Sequence, residues 1–132
     1  MVKVITFGTF DLFHIGHVNI LERAKSLGDI LVVGVSSDML NYNKKQRNPI
    51  YSFNERRRIL ETNIYVDQVF MEESLEQKRD YILHHGADIL VMGDDWAGKF
   101  DEFSDICQVV YLSRTDGISS TGVMEKVYKQ FG

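Results

Sequence analysis

The run DILVVGVSS, Asp29 to Ser37, constrains this chain more than any other stretch. It is apolar on both faces instead of alternating, which suits a strand buried on both sides at the centre of a parallel sheet. Parallel neighbours need crossover connections, and helices normally supply them. The remaining segments come in the order this requires. Val2 to Gly8 is β-branched and aromatic, the composition of a first buried strand. Val18 to Leu27 repeats apolar residues at helical spacing (Val18, Leu21; Ile20, Ala24, Leu27), and Gly28 follows where a C-terminal cap belongs. From Asp38 to Tyr51 no period is usable, and the stretch reads as a mobile loop. Ser52 and Glu55 form a capping box for a helix to about Asn63. VDQVF (Val66 to Phe70) reads as a third strand, Leu75 to His85 as a helix, Ala87 to Gly93 as a fourth strand and Gln108 to Leu112 as a fifth. Ser119 or Ser120 caps a last helix whose Val123, Met124, Val127 and Phe131 recur at three- and four-residue spacing. The expected fold is α/β, a Rossmann-like doubly wound parallel sheet of five strands in one domain spanning residues 1–132.

Composition narrows the function. A net charge of −4 argues against a general nucleic-acid binder, so any phosphate site must be a local basic cluster. Cys107 is the only cysteine, which excludes an internal disulfide and suggests a small hydrophobe packed in a strand. No apolar run has the length of a membrane span and no signal-peptide pattern is present, so no membrane partner is expected and the cytoplasm is the expected location.

The chemistry concentrates in two segments. GTFDLFHIGH, residues 8 to 17, places His14 and His17 at the first strand-to-helix junction, where a helix N-terminus offers unpaired N–H groups to an anion. The pair could supply two metal ligands, but no clear third exists: His84 and His85 fall near the end of a helix two crossovers away, and no metal site is assigned. Phosphate contact fits better, because Gly16 admits a phosphate to the backbone and both imidazoles can donate to oxygens that gain charge. No GxGxxG and no GxxxxGK[ST] occurs, so side chains must hold the phosphates. The second segment, RTDGISST (Arg114 to Thr121), joins the fifth strand to the last helix. In this topology it reaches the same edge of the sheet, so that two helix N-termini and an arginine converge on one anion.

Together these segments resemble the cytidylyltransferase family, whose shared signatures are GTFDxxHxGH and RTxGIST, and the likeness covers nearly the whole chain. GDILVVGVSSD, YVDQV and VMGDDWAGKFD are further similar to the glycerol-3-phosphate cytidylyltransferases within it. The letters HIGH are also similar to class I aminoacyl-tRNA synthetases, for which this chain is far too short. The resemblance implies the HxGH nucleotidyltransferase type of fold. The implied reaction is CTP plus a small phosphorylated alcohol, glycerol 3-phosphate first, giving a CDP-alcohol and pyrophosphate. A phosphate monoester with a second pKa of about 6 is already a nucleophile near neutral pH, so positioning and charge stabilisation are required and a general base is not.

By the same resemblance His14, His17, Lys44 and Arg114 carry the catalysis. Thr9 and Phe10 line the nucleotide site, and Arg114, Thr115, Gly117, Ile118, Ser119, Ser120 and Thr121 hold the β- and γ-phosphates. Lys44 matches a lysine of a loop that closes over both substrates, and Lys45 or Arg47 is the counterpart of a second. Asp11 and Asp95 match acidic positions, Asp11 on the acceptor side and Asp95 on the nucleotide side. Lys78 matches a lysine for the acceptor phosphate, and Arg56 an active-site arginine. Helical geometry agrees for Arg56: Phe53, Leu60 and Ile64 define one face, Arg56 and Arg57 lie near it, and Arg58 points to solvent. Mg²⁺ neutralising the triphosphate, and a homodimer, are implied too. Leu75 and Ile64 stand where the glycerol enzymes carry a tryptophan and an arginine. The residues leave open adenylyl transfer and a non-catalytic nucleotide sensor.

Overall fold

A computed structural model describes residues 1–132. Ten regular elements follow one another: β1 (Lys3–Gly8), α1 (Ile15–Ser26), β2 (Ile30–Ser36), α2 (Asp38–Lys45), α3 (Phe53–Glu61), β3 (Gln68–Glu72), α4 (Lys78–His85), β4 (Ile89–Gly93), β5 (Gln108–Leu112) and α5 (Ser120–Phe131). Two 3₁₀ turns, Asp94–Trp96 and Asp101–Asp105, lie between β4 and β5. The strands form one parallel sheet in the order β3-β2-β1-β4-β5, with Ile5 of β1 opposite Val32 on one side and Leu90 on the other.

The period of two along each strand divides the core. Val4, Leu31 and Val33 point to one face and pack with Leu21 and Ala24 of α1 and Leu60 of α3. Ile5, Val32 and Leu90 point to the other and pack with Ile82 of α4 and Phe103 of the second 3₁₀ turn. Central strands apolar on both faces are thus covered on both, which is the physical content of the doubly wound arrangement. No helix is long and apolar enough to cross a membrane.

The structure corrects several local expectations. Asp38–Lys45 is a helix where a loop was expected. Ser37 caps it by accepting from the Leu40 N–H at 3.0 Å, and buried Asn41 donates to Ser36 from inside it, so a cap and a tertiary hydrogen bond replace the missing apolar period. Helix α1 begins at Ile15, not Val18, which brings both histidines into its first turn. Helix α4 begins at Lys78, leaving Leu75 exposed outside it. Helix α3 ends at Glu61, so Ile64 lies beyond the helix and is 84% exposed, and Arg57 faces solvent, 3.5 Å from Glu61. Cys107 is half-buried just before β5, its thiol donating to the Phe103 carbonyl. Ser119 caps α5, whose Val127 and Phe131 are exposed.

Candidate active site

A cavity of about 370 Å³, within the range of small-molecule sites, opens between the C-terminal ends of β1 and β4. This is the point where the strand order reverses, because β1 leads on to β2 while the chain from β3 returns to the opposite side as β4. Both signature segments reach its wall.

His14 is the N-cap of α1 and His17 occupies the third helical position. The Gly16 N–H donates to His14 Nδ1 at 3.1 Å, and the His14 N–H donates to His17 Nδ1 at 3.2 Å. This is a capping box built from two imidazoles. A nitrogen that accepts a backbone N–H carries no proton, so each ring is a neutral tautomer with its proton on Nε2. The rings stack with centroids 3.8 Å apart, and Phe13 stacks on His17 from the other side at 5.4 Å. Burial, then the neighbouring His14, lower His17 to about 4, with Asp11 opposing. Burial and Arg114 lower His14 in the same direction. Near neutral pH the pair therefore offers two uncharged N–H donors. Gly16 is required by this packing: a Cβ there would lie 2.9 Å from His14 Cε1.

The RTDGISST segment forms the facing wall. Arg114 is exposed and its guanidinium donates to Asp95 at 3.0 Å, from the turn after β4. Gly117 takes a left-handed φ of +77° that places Ser119 to cap α5, where it accepts from the Gly122 N–H. Two residues absent from the sequence-based set tie this segment down. Asn19 donates to Thr115 at 2.9 Å, and Arg23 donates to the Ser113 carbonyl at 2.8 Å. Their four-residue spacing sets both on one face of α1, the one signal that could have found them.

The loop between β1 and α1 is strained. Phe10 and Leu12 adopt left-handed φ values of 55° and 49°, which cost on the order of 1–3 kcal/mol each in a residue with a side chain. Phe10 is held there by burial against the His17 ring, and Thr9 by donating to Asn41 at 2.8 Å. Beneath the loop lies Arg56, 0% exposed. It donates to the carbonyls of Thr9, Ser36 and Tyr51 at 3.0, 2.8 and 3.0 Å and pairs with Asp38 at 2.7 Å.

The structure thus brings Thr9, Phe10, Asp11, His14, His17, Lys45, Arg47, Asp95, Arg114, Thr115, Ile118, Ser119, Ser120 and Thr121 to one cavity, and leaves Lys44, Arg56, Lys78 and Gly117 off its lining. Lys78 is 4% exposed and paired with buried Glu72 at 2.9 Å, its ammonium 3.9 Å from the centroid of the Phe7 ring. Desolvation lowers both Lys78 and Lys44 while Glu72 opposes it. No group of three or more His, Cys, Asp or Glu side chains could hold a metal ion.

Comparison with known proteins agrees with this geometry. A family model described as cytidylyltransferase-like matches residues 5–126. Over 127 residues the chain is 54% identical to the glycerol-3-phosphate cytidylyltransferase of Bacillus subtilis, covering 96% of this chain and 98% of that protein. The enzyme of the same name from Staphylococcus aureus is 43% identical over 128 residues, covering 97% and 96%. Among solved structures, a lipopolysaccharide core biosynthesis protein from Thermoplasma volcanium superposes with a TM-score of 0.75 at 26% identity, over 88% of this chain and 99% of that one.

Proposed function

The chain belongs to the cytidylyltransferase-like family, and from that membership and the residues of its cavity we propose that it transfers a cytidylyl group from CTP to glycerol 3-phosphate, giving CDP-glycerol and pyrophosphate. A phosphate oxygen of the acceptor attacks the α-phosphorus. The new P–O bond forms as the bond to the bridging oxygen of the β-phosphate breaks, and pyrophosphate leaves with the electron pair. The observation that carries this reading is the imidazole capping box: it fixes two neutral Nε2–H donors at a helix N-terminus, where they can meet a phosphoryl group gaining charge without adding a proton to balance. Arg114 and the start of α5 supply positive potential from the opposite wall, suited to the β- and γ-phosphates. Asp95 orients Arg114. Mg²⁺ would accompany CTP and neutralise the triphosphate, needing few protein ligands of its own.

The acceptor belongs beside the nucleotide, near exposed Lys44, with Lys78 buried and neutralised by Glu72 beneath that region. Leu75 and Ile64 are exposed and add no aromatic or positive group there. The reading includes a homodimer, supported by exposed Met71 within the sheet's edge strand β3 and Leu75 just after it. It also includes the cytoplasm, where nucleoside triphosphates are held.

The test is pyrophosphate release from Mg–CTP, with Mg–ATP alongside, against glycerol 3-phosphate, phosphocholine, phosphoethanolamine, and ribitol and erythritol phosphates. Rapid release with CTP and glycerol 3-phosphate alone is expected. Another acceptor would move the substrate and keep the mechanism, ATP would make the chain an adenylyltransferase, and no release with CTP still bound would make it a sensor. His17→Ala should lower kcat about 10²–10³-fold with a much smaller change in CTP affinity.

A further inference from the structure

Asp11 places a carboxylate on the wall of a cavity otherwise suited to phosphates, and the structure shows what occupies it. Its Oδ2 accepts the Ile50 N–H at 2.7 Å, and its Oδ1 accepts the N–H groups of Tyr51 and Leu12 at 2.9 and 3.1 Å. Neither Ile50 nor Tyr51 donates its amide elsewhere. They lie near the end of the connection from α2 to α3, whose Arg47, Asn48, Pro49 and Ile50 line the cavity together with Lys45 at the end of α2. That segment begins at Gln46, in a left-handed conformation, and between there and Ile50 no backbone N–H finds an internal acceptor. On its other side Asp11 receives the start of α5, because Ser120 donates to the Asp11 carbonyl at 2.6 Å. One residue therefore joins the three segments that surround the nucleotide cavity.

We propose that Asp11 is a positioning residue for nucleotide binding: its carboxylate pins the backbone of Ile50 and Tyr51 and so holds Lys45 and Arg47 against the triphosphate. Three of the lone-pair sites of the carboxylate are committed to backbone donors, which leaves little for an acceptor hydroxyl and removes the contradiction of an acid among anion-binding groups. Charge-assisted bonds to otherwise unpartnered amides are the strong, directional kind that fix a loop bearing long, flexible cations. The inference rests on CTP as the nucleotide only in its kinetic arm.

The test compares the full chain with Asp11→Asn, whose amide has a single acceptor oxygen for three donors. Hydrogen exchange without substrate should speed up about tenfold or more at Ile50 and Tyr51, the change expected when such a bond is lost, with β1, β2 and β4 unchanged as the control for folding. Tryptic cleavage after Lys45 and Arg47 should rise with it. The KM for Mg–CTP should rise about tenfold with a smaller change in the KM for glycerol 3-phosphate, and Arg47→Gln should cost less in the Asp11→Asn background than in the wild type. Unchanged exchange would overturn the assignment. So would faster exchange in an active enzyme with CTP binding intact, or a rise confined to the KM of the acceptor. A wild-type chain inactive with CTP would defeat the proposed function, while exchange and cleavage would still decide whether Asp11 pins the segment. Should Asp11→Asn fail to fold, Ile50→Pro removes the donor from the other end of the same bond and must reproduce the same loosening.

Discussion

Two groups of cations near the same end of the sheet meet opposite fates. Lys45, Arg47 and Arg114 reach the cavity wall, are exposed, and the one ion pair among them, Arg114 with Asp95, is open to solvent. Arg56 and Lys78 lie under the sheet edge, almost wholly buried, each paired with a carboxylate. A buried cation must be satisfied by the protein before any ligand arrives, since an unpaired one is far too costly. Exposed cations carry no such debt and can turn to an incoming phosphate. The same residue types thus divide into groups that hold the pocket's shape and groups free to fill its electrostatic role.

That division can be broken by experiment, most strongly from the buried side. Lys78→Met leaves buried Glu72 unpaired, and Arg56→Ala empties a fully buried site that makes four hydrogen bonds; each should cost about 3–5 kcal/mol of unfolding free energy, read from urea denaturation. A loss under 1 kcal/mol would put both residues with the free cations.

The histidine pair tests the cavity side through pH. His17 titrates near 4 when folded against 6.5 as its ordinary value, so the unfolded chain takes up the proton first as pH falls. Its contribution is therefore complete above about pH 6.5 and is lost progressively towards pH 4, on the order of 3 kcal/mol in all. In His17→Asn, whose amide oxygen can still accept the His14 N–H, unfolding measured across this window should show a flatter slope. An identical slope would mean the ring is not held neutral.

The smallest structural effect belongs to Arg114. Its pair with Asp95 is exposed on both sides, and Arg114→Gln should change stability by less than about 1 kcal/mol while raising the KM for CTP. A large loss of stability would erase the contrast between the two groups.

Much of this was legible in the residues. The strands announced themselves because a sheet buried on both faces demands unbroken apolar runs, and β2, Ile30–Ser36, is nearly all buried. Arg56 could be placed by spacing alone, three residues after Phe53 and four before Leu60 on the buried face of α3. Its partners could not, since carbonyls of Thr9 and Ser36 are brought near only by the folded sheet. Helix α2 escaped notice because its stability comes from Ser37 and Asn41, polar residues that leave no periodic stripe. The imidazole cap escaped for a related reason: histidine caps a helix only in one tautomer, a choice made by neighbouring N–H groups, not by residue type. Asp11 read as an acid on the acceptor side, because its amide partners lie 39 and 40 residues away.

The left-handed turns at Phe10 and Leu12 have a consequence for how the molecule assembles. A local preference that opposes the native shape must be overruled from outside, and here the anchors are the Phe10 contact with His17, the Asp11 carboxylate on the α2–α3 connection and the Ser120 hydroxyl of α5. These come from segments separated by up to 109 residues. The shape of the binding loop is therefore a property of the whole chain: β1 carries it, α5 and the α2–α3 connection hold it, and no local segment encodes it alone.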